Sequence, residues 1–307
     1  TAFNMNDLVA STSPRGMTWT RRKRALTRVW NELRHDRAGF VSLLVLLGFG
    51  LAALCAPLIA DRSHLLAAAG RNNPDLAAPS RQFLLGTDDI GRDILAQLVW
   101  GSRVSLFIGI FATVVAVVIG SAVGLVAGYV KGKVATVLLA INDFFLVVPF
   151  LPLAIVLAVI LGRSPVMLAI VIGITSWAGS ARLVRAQVLT LSERAYVERA
   201  RALGAGTWQI IFRHVLPGVA PLIIANATLI VPGAILTEST LSFLGFGDRL
   251  SPSWGKLLDG AQSSGSITLN AWWYYLPPGL CIITVVLAFT LFGRALERIF
   301  DPRLAGR

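Results

Sequence analysis

Two carboxylates stand inside apolar stretches of this chain, and they are the residues best placed to do chemistry. Asp143 follows Asn142 in a run that continues through Pro149 and Pro152, which bend the helix by removing backbone hydrogen bonds, and Glu238 sits among Thr237, Ser239, Thr240 and Ser242. A carboxylate at membrane depth costs about 2.5–3.5 kcal/mol on insertion scales, so it faces protein or water and can relay a proton or hold a cation. Asp143 reads more simply as a helix-end acid paired with a nearby arginine. For Glu238 two readings stand side by side. With Ser239 and Ser242 it lines a water-filled path and meets an ammonium group, or it holds two helices together.

Other chemistries fail on spacing. Gly128-Tyr-Val-Lys-Gly132-Lys133 glances toward a phosphate-binding loop, but Ala127 occupies the required first glycine position and Val134 follows the lysine. His35, His64 and His214 have no metal spacing, and no nucleophile–base arrangement stands out. The acids of the stretch 85–93 lack the spacing and the closing glutamate of a calcium loop. No catalytic residue, metal ligand or cofactor is expected on this chain.

The elements that must position these groups follow from composition. The chain has 307 residues, 55% of them hydrophobic and only 14% charged. A soluble domain carries about 25% charged residues, so an all-α integral membrane protein is the first inference. The net charge of +12 does not point to nucleic acid, because the basic residues lie between apolar runs and no nucleic-acid motif accompanies them. Cys55 and Cys281 fall inside apolar runs and say nothing about redox compartment.

Six spans are expected, at 38–60, 104–128, 134–161, 166–186, 217–244 and 274–296, and together they form a membrane domain over 38–304. The first is about 23 residues long, which suits an uncleaved anchor. Of the 28 Lys and Arg residues, 20 fall in the tails and in the loops on one side. The positive-inside rule puts that side, with both termini and the loop 193–217, in the cytoplasm. Residues 1–18 form a polar start. Arg21-Arg22-Lys23-Arg24 then opens a basic amphipathic stretch in which Leu26, Val29, Trp30 and Leu33 recur at helical spacing opposite Arg28 and Arg34. That pattern suits a helix in the cytoplasmic interface of the 1–37 tail, facing lipid headgroups. Gly120, Gly124 and Gly128 repeat at the spacing that lets helices approach closely. Residues 305–307 are a cytoplasmic end.

The longest polar island is 193–217. Its first part reads as a short amphipathic helix over 193–203, with Tyr196, Ala200 and Leu203 on one side and Arg194, Glu198 and Arg201 around the other. Gly204-Ala205-Gly206 ends it, Thr207 is placed to cap a second helix over 208–214, and Leu216-Pro217 stops that one. Helix, glycine turn and helix make a compact knob. On the other side, 61–103 and 245–273 are outer segments. In the first, Gly86 and Gly91 permit tight turns, Asp88 can cap the following backbone and Arg92 can pair with a carboxylate. Trp272, Trp273, Tyr274 and Tyr275 make an aromatic anchor at the water interface.

Several strings resemble one family. Glu198-Arg199-Ala200, then Gly204, then Leu216-Pro217 is similar to the EAA loop of ATP-binding-cassette importer permeases, with Arg199 departing from the second alanine of the pattern. Leu85-Gly86-Thr87-Asp88-x-x-Gly91-Arg92-Asp93, Gly101-x-Arg103-x-Ser105-Leu106, Asp143 six residues before Pro149, Thr237-Glu238-x-x-Leu-Ser-Phe-Leu-Gly-x-Gly247, Pro252-x-Trp254-Gly255 and the tail 293–303 resemble its dipeptide/oligopeptide (nickel) branch, C-type subunit. The likeness runs from about residue 25 to 304. It implies a type I permease fold with a cytoplasmic coupling helix, in a bacterial inner membrane. It implies a second permease subunit, two ATPase subunits or domains carrying ATP and magnesium, an extracytoplasmic binding protein and a peptide substrate. ATPase coupling would fall to Tyr196, Glu198, Ala200, Arg201, Ala202, Leu203, Gly204, Ala205, Leu216 and Pro217. Outer-loop or binding-protein docking would fall to Gly86, Thr87, Asp88, Gly91, Arg92, Asp93, Trp254 and Gly255. Two other classes are kept open, a proton-driven transporter using Asp143 or Glu238 and a non-transporting membrane scaffold or enzyme; within the family, the alternative cargo is nickel or another solute.

Overall fold

In hydrocarbon a backbone has to satisfy its own N–H and C=O groups, and the apolar runs of this chain do so as helices. The computed structural model describes residues 27, 30–65, 73–248 and 250–300. Among them the one extended pairing is an isolated bridge between Thr87 and Asp93. The long helices are α1 (Arg37–Leu54), α2 (Ile94–Tyr129), α5 (Pro165–Ser192), α8 (Leu216–Phe243) and α10 (Trp272–Phe300). Between α2 and α5 lie α3 (Lys133–Val147) and α4 (Phe150–Leu161). The knob contains α6 (Ala195–Ala202) and α7 (Thr207–Ile210), and α9 (Trp254–Ser263) follows α8. Five helices are long and apolar enough to cross a membrane, and α3 with α4 makes six if counted as one span.

That pair departs from the sequence expectation of one bent span over 134–161. The axes of α3 and α4 meet at 96°. The cause is local. Val148 (ψ 128°) and Pro149 (ψ 117°) are both out of the helical region. A residue before proline is pushed out of the helical region, and proline itself cannot donate the next helix bond. The second span also starts earlier than expected, at Ile94, because the Asp93 side chain accepts from the Leu95 N–H and caps the helix there.

The tightest packing is between α2 and α5. A Cβ on Gly120 would lie 2.7 Å from the Trp177 carbonyl oxygen, one on Gly124 2.6 Å from the Ala181 carbonyl oxygen, and one on Gly128 2.8 Å from Val188 Cβ. α8 lies along both α2 and α10, and α1 lies along α10. At the end of that last pair Asp36 caps α1 by accepting from the Gly39 N–H, and Arg298 donates to the other Asp36 oxygen at 2.6 Å. On the far side of α1, Leu44, Leu47, Leu51 and Leu54 are exposed, as a lipid-facing stripe requires.

The interfacial helix is described only in part. Residues 30–35 are helical, Leu33 is buried, and Arg34 lies over the exposed Trp30 ring at 6.0 Å. The basic run 21–24, Leu26, Arg28 and Val29 lie outside the described residues, as do 1–18 and the end of the tail at Asp301-Pro302-Arg303.

The α2–α5 seam generates a test. Gly124→Val forces a side chain against the Ala181 backbone and is expected to destabilise the fold by roughly 1–3 kcal/mol, the usual range for overpacking. Gly50→Ala, with no atom within 4 Å of the new Cβ, is expected to be neutral. Thermal unfolding in detergent separates the two; equal midpoints would refute the close seam.

Candidate functional site

The knob grows directly out of α5. That helix ends at Ser192, and the chain turns at Glu193 into α6 with Arg194 as its cap. Gly204 has φ +85°, the left-handed conformation that a side chain resists. α7 then begins at Thr207. Its cap is Gly206, without a side-chain bond, so the expected capping role of Thr207 is corrected: it is already the first helical residue. Nor does the second helix stop at Leu216-Pro217. A π turn over Ile211–Val215 joins α7 to α8, and the helix runs unbroken over Thr207–Phe243. Pro217 has no N–H to close a normal turn. The wider turn before it, in which the Leu216 N–H reaches back to the Ile211 carbonyl, lets the chain continue.

An apolar cluster fixes the knob to the ends of the spans. Val197 from α6 and Ile210, Ile211, Val215 and Val219 from the continuous helix pack with Leu125 of α2 and with Val184 and Val188 of α5. The buried position of α6 is therefore Val197. The expected face of Tyr196, Ala200 and Leu203 is not the packed one: Tyr196 is exposed and Leu203 is 88% exposed. Arg201 closes the near side, donating to the Tyr129 hydroxyl at 3.4 Å with its guanidinium 5.6 Å above that ring. Glu198, Ala202, Gly204 and Pro217 are exposed, and Ala200, Ala205 and Leu216 are half-buried. Trp208 and Phe212 also stand in the open, with stacked rings 6.1 Å apart. Sequence reading passed over this pair. Its signal was there: two large aromatics four apart on a polar island.

At the opposite end the stretch 73–103 is ordered by one carboxylate. Asp88 is fully buried and accepts from the backbone N–H groups of Ile90 and Arg92, from Arg92 Nε at 2.7 Å and from Gln97 Nε2 at 2.9 Å. Thr87 donates to the Pro74 carbonyl and accepts from the Ala77 N–H. This makes the expected docking set a correction. Gly86, Thr87, Asp88 and Gly91 are buried, and Arg92 and Asp93 are half-buried, because they build the segment and do not face outward. The same holds for Trp254 and Gly255. Trp254 is fully buried, its N–H donating to Ser105 Oγ and its indole N–H to the Leu98 carbonyl. A Cβ on Gly255 would lie 2.5 Å from the Ser239 carbonyl oxygen. In the aromatic anchor Trp272 is exposed, but Tyr274 is buried and donates to Asp89. Between these parts lies a cavity of about 410 Å³ bordered by Asp89, Arg92, Lys256, Asp259 and Tyr274.

Of the two readings of Glu238, the geometry supports the joint. Its side chain is fully buried and accepts from Ser242 at 2.7 Å, from Ser105 of α2 at 3.0 Å and from Ser239 at 3.5 Å. Ser105 in turn receives the Trp254 N–H. One carboxylate thus links α2, α8 and α9. The pathway reading is corrected for all three residues, since Ser239 and Ser242 are buried as well. Asp143 is an exposed acid paired with Arg182 at 3.0 Å. Among the described residues no His, Cys, Asp and Glu side chains group as a metal site.

Comparison with known proteins agrees with this architecture. Residues 120–306 match the family of binding-protein-dependent transport system inner membrane components. Over 284 residues the chain is 38% identical to the oligopeptide transport system permease protein OppC of Salmonella typhimurium, covering 90% of this chain and 91% of that protein. It is 36% identical to the dipeptide transport system permease protein DppC of Alkalihalophilus pseudofirmus, covering 90% and 89%. It is also 36% identical to the di/tripeptide transport system permease protein DppC of Pseudomonas aeruginosa, covering 91% and 92%.

Two substitutions test the buried acids. Asp88→Ala leaves Arg92, Gln97 and two backbone N–H groups without their acceptor. It is expected to cost about 3 kcal/mol, within the range for breaking a buried pair, and to expose 73–93 to protease in detergent-solubilised protein; an unchanged digestion pattern would count against the role of Asp88. Glu238→Leu leaves Ser105 and Ser242 unpaired and is expected to lower stability by about 1–3 kcal/mol, with Glu238→Gln closer to wild type in the same thermal scan.

Proposed function

The chain belongs to the binding-protein-dependent transport system inner membrane component family, and on that premise we propose that it forms half of the translocation pore of an ATP-driven peptide importer. A second permease subunit supplies the other half. Two ATPase subunits or domains, carrying ATP and magnesium, drive the pair from the cytoplasmic side, and an extracytoplasmic binding protein delivers cargo. The chain sits in a bacterial inner membrane with both termini in the cytoplasm, in keeping with the bias of Lys and Arg to that side. The substrate class comes from the relatives, whose names span di-, tri- and oligopeptides.

The observation that carries this reading is the knob. It is anchored by buried Val197, Ile210 and Ile211, yet it holds Leu203, Trp208 and Phe212 out into the open. A rigid base with an apolar, unpartnered tip fits insertion into a groove on an ATPase. Closure of the ATPase dimer on ATP then moves the knob, and α8 and α5 carry the motion into the membrane. ATP drives the change only because it binds one conformation better than the other. The binding protein docks on the exposed parts of the outer segments, where Leu84, Ile90, Leu250, Ile267 and Leu269 are presented.

Gly204→Val tests the coupling. A β-branched residue in the left-handed region costs roughly 1–2 kcal/mol, and nothing else lies within 4 Å of the new Cβ. The expected outcome is normal membrane insertion, weakened co-purification of the ATPase and loss of ATP-dependent peptide uptake. Trp208→Ala is expected to weaken ATPase retention without touching the turn. Wild-type uptake in both variants, or uptake that persists without any ATPase and collapses with the proton gradient, would overturn the proposal.

A further inference from the structure

Where α2, α3 and α5 come together near the knob, they leave a cavity of about 250 Å³ that neither coupling nor transport has used. Its walls include Gly124 and Leu139, and its polar groups are Asn142, Asp143, Arg182 and Arg185. Asn142 is 2% exposed and its Oδ1 has no hydrogen-bond partner, and the buried Nε of Arg185 has none either. An acceptor and a charged donor are thus both unmet on one small cavity. Buried polar atoms are almost always satisfied, and the exceptions ask for something that fills them. Asp143 pairs with Arg182 at the rim, which leaves the arginine pair with one uncompensated positive charge.

We propose that this cavity binds the headgroup of a membrane phospholipid, with a phosphodiester on Arg185 and a neighbouring hydroxyl or ammonium group donating to Asn142 Oδ1. The charge matches, since a phosphodiester carries one negative charge against the one left over. The position matches too. Arg185 lies seven residues before the end of α5 at Ser192, at the knob end of the bundle, and basic pockets between spans on the cytoplasmic side hold lipid headgroups. Ile141, Phe144 and Val137 are exposed on α3 beside the cavity and offer an apolar wall for acyl chains. The site stands whether or not the chain couples to an ATPase.

The test is native mass spectrometry of the full chain extracted in mild detergent with whatever subunits accompany it, delipidated and titrated with single lipids. Phosphatidylglycerol and phosphatidylethanolamine carry both the phosphodiester and a donor; phosphatidylcholine carries the phosphodiester alone and is expected to bind more weakly. Arg185→Gln is expected to raise the half-saturating phosphatidylglycerol concentration about tenfold, the worth of one charge-assisted hydrogen bond. Asn142→Leu is expected to abolish the preference for phosphatidylethanolamine over phosphatidylcholine, two headgroups of equal net charge that differ in the donor, while leaving phosphodiester binding in place, a change that a purely structural role would not produce. The proposal falls if the variants retain lipid as wild type does, or if the preference survives Asn142→Leu. It also falls if excess inorganic phosphate displaces the lipid, which would mark a site for free anions. A cavity that holds only water gives a third contrary result: Asn142→Leu raises the thermal midpoint and no lipid is retained.

Discussion

Along α2 and α5 the backbones lie so close that no side chain fits between them at Gly120, Gly124 and Gly128. Without a hydrophobic driving force between helices in lipid, this kind of contact is what holds two spans together, through dispersion over a long seam. The knob's orientation depends on it. α6 leaves from the end of α5, Arg201 reaches Tyr129 at the end of α2, and the cluster under the knob takes Leu125 from one helix and Val184 and Val188 from the other. If the seam slipped, the tip carrying Leu203 and Trp208 would point elsewhere.

The opposite end is held by other means. There the chain uses buried acids with full sets of donors: Asp88 inside the segment 73–103, and Glu238 where α2, α8 and α9 meet. A buried polar network is directional and is costly when broken, whereas the glycine seam holds by close contact along its length. The molecule is therefore stitched at the end away from the knob and zipped along its middle. Trp254, seated between Ser105 and the Leu98 carbonyl, belongs to the stitched part, so α9 moves with α2.

Features set by neighbouring residues were legible in the sequence. The left-handed turn at Gly204, the capping role of Asp88, a carboxylate partner for Arg92, the glycine spacing of α2 and the membrane-spanning character of the long apolar runs all follow from local chemistry. What was not legible depends on partners distant in the chain. Whether Trp254 and Gly255 face solvent is decided by Ser105 and Ser239, and the environment of Glu238 by a serine 133 residues away. For α6, helical spacing nominates a face but cannot say that Val197 packs in one cluster with Ile210 and Val215. The proline at 149 announced a bend. Its size followed from two consecutive extended residues, Val148 and Pro149, and composition does not reveal that. The proline at 217 announced a stop, and the π turn before it removed the stop.

That π turn has a mechanical meaning. Because the helix over Thr207–Phe243 is continuous, Trp208 at the tip and Glu238 at the far joint sit on one rod, 30 residues apart, about 45 Å at 1.5 Å per residue. No loop lies between them to take up slack. A sideways push on the tip becomes a tilt of the rod about the seam, and the serines around Glu238 must follow it or let go. The rod's weak points are Pro221 and Pro232, where missing backbone bonds lower bending stiffness. They divide it into three segments, 207–220, 222–231 and 233–243. Where the rod flexes sets how far a stroke at one surface of the membrane is felt at the other.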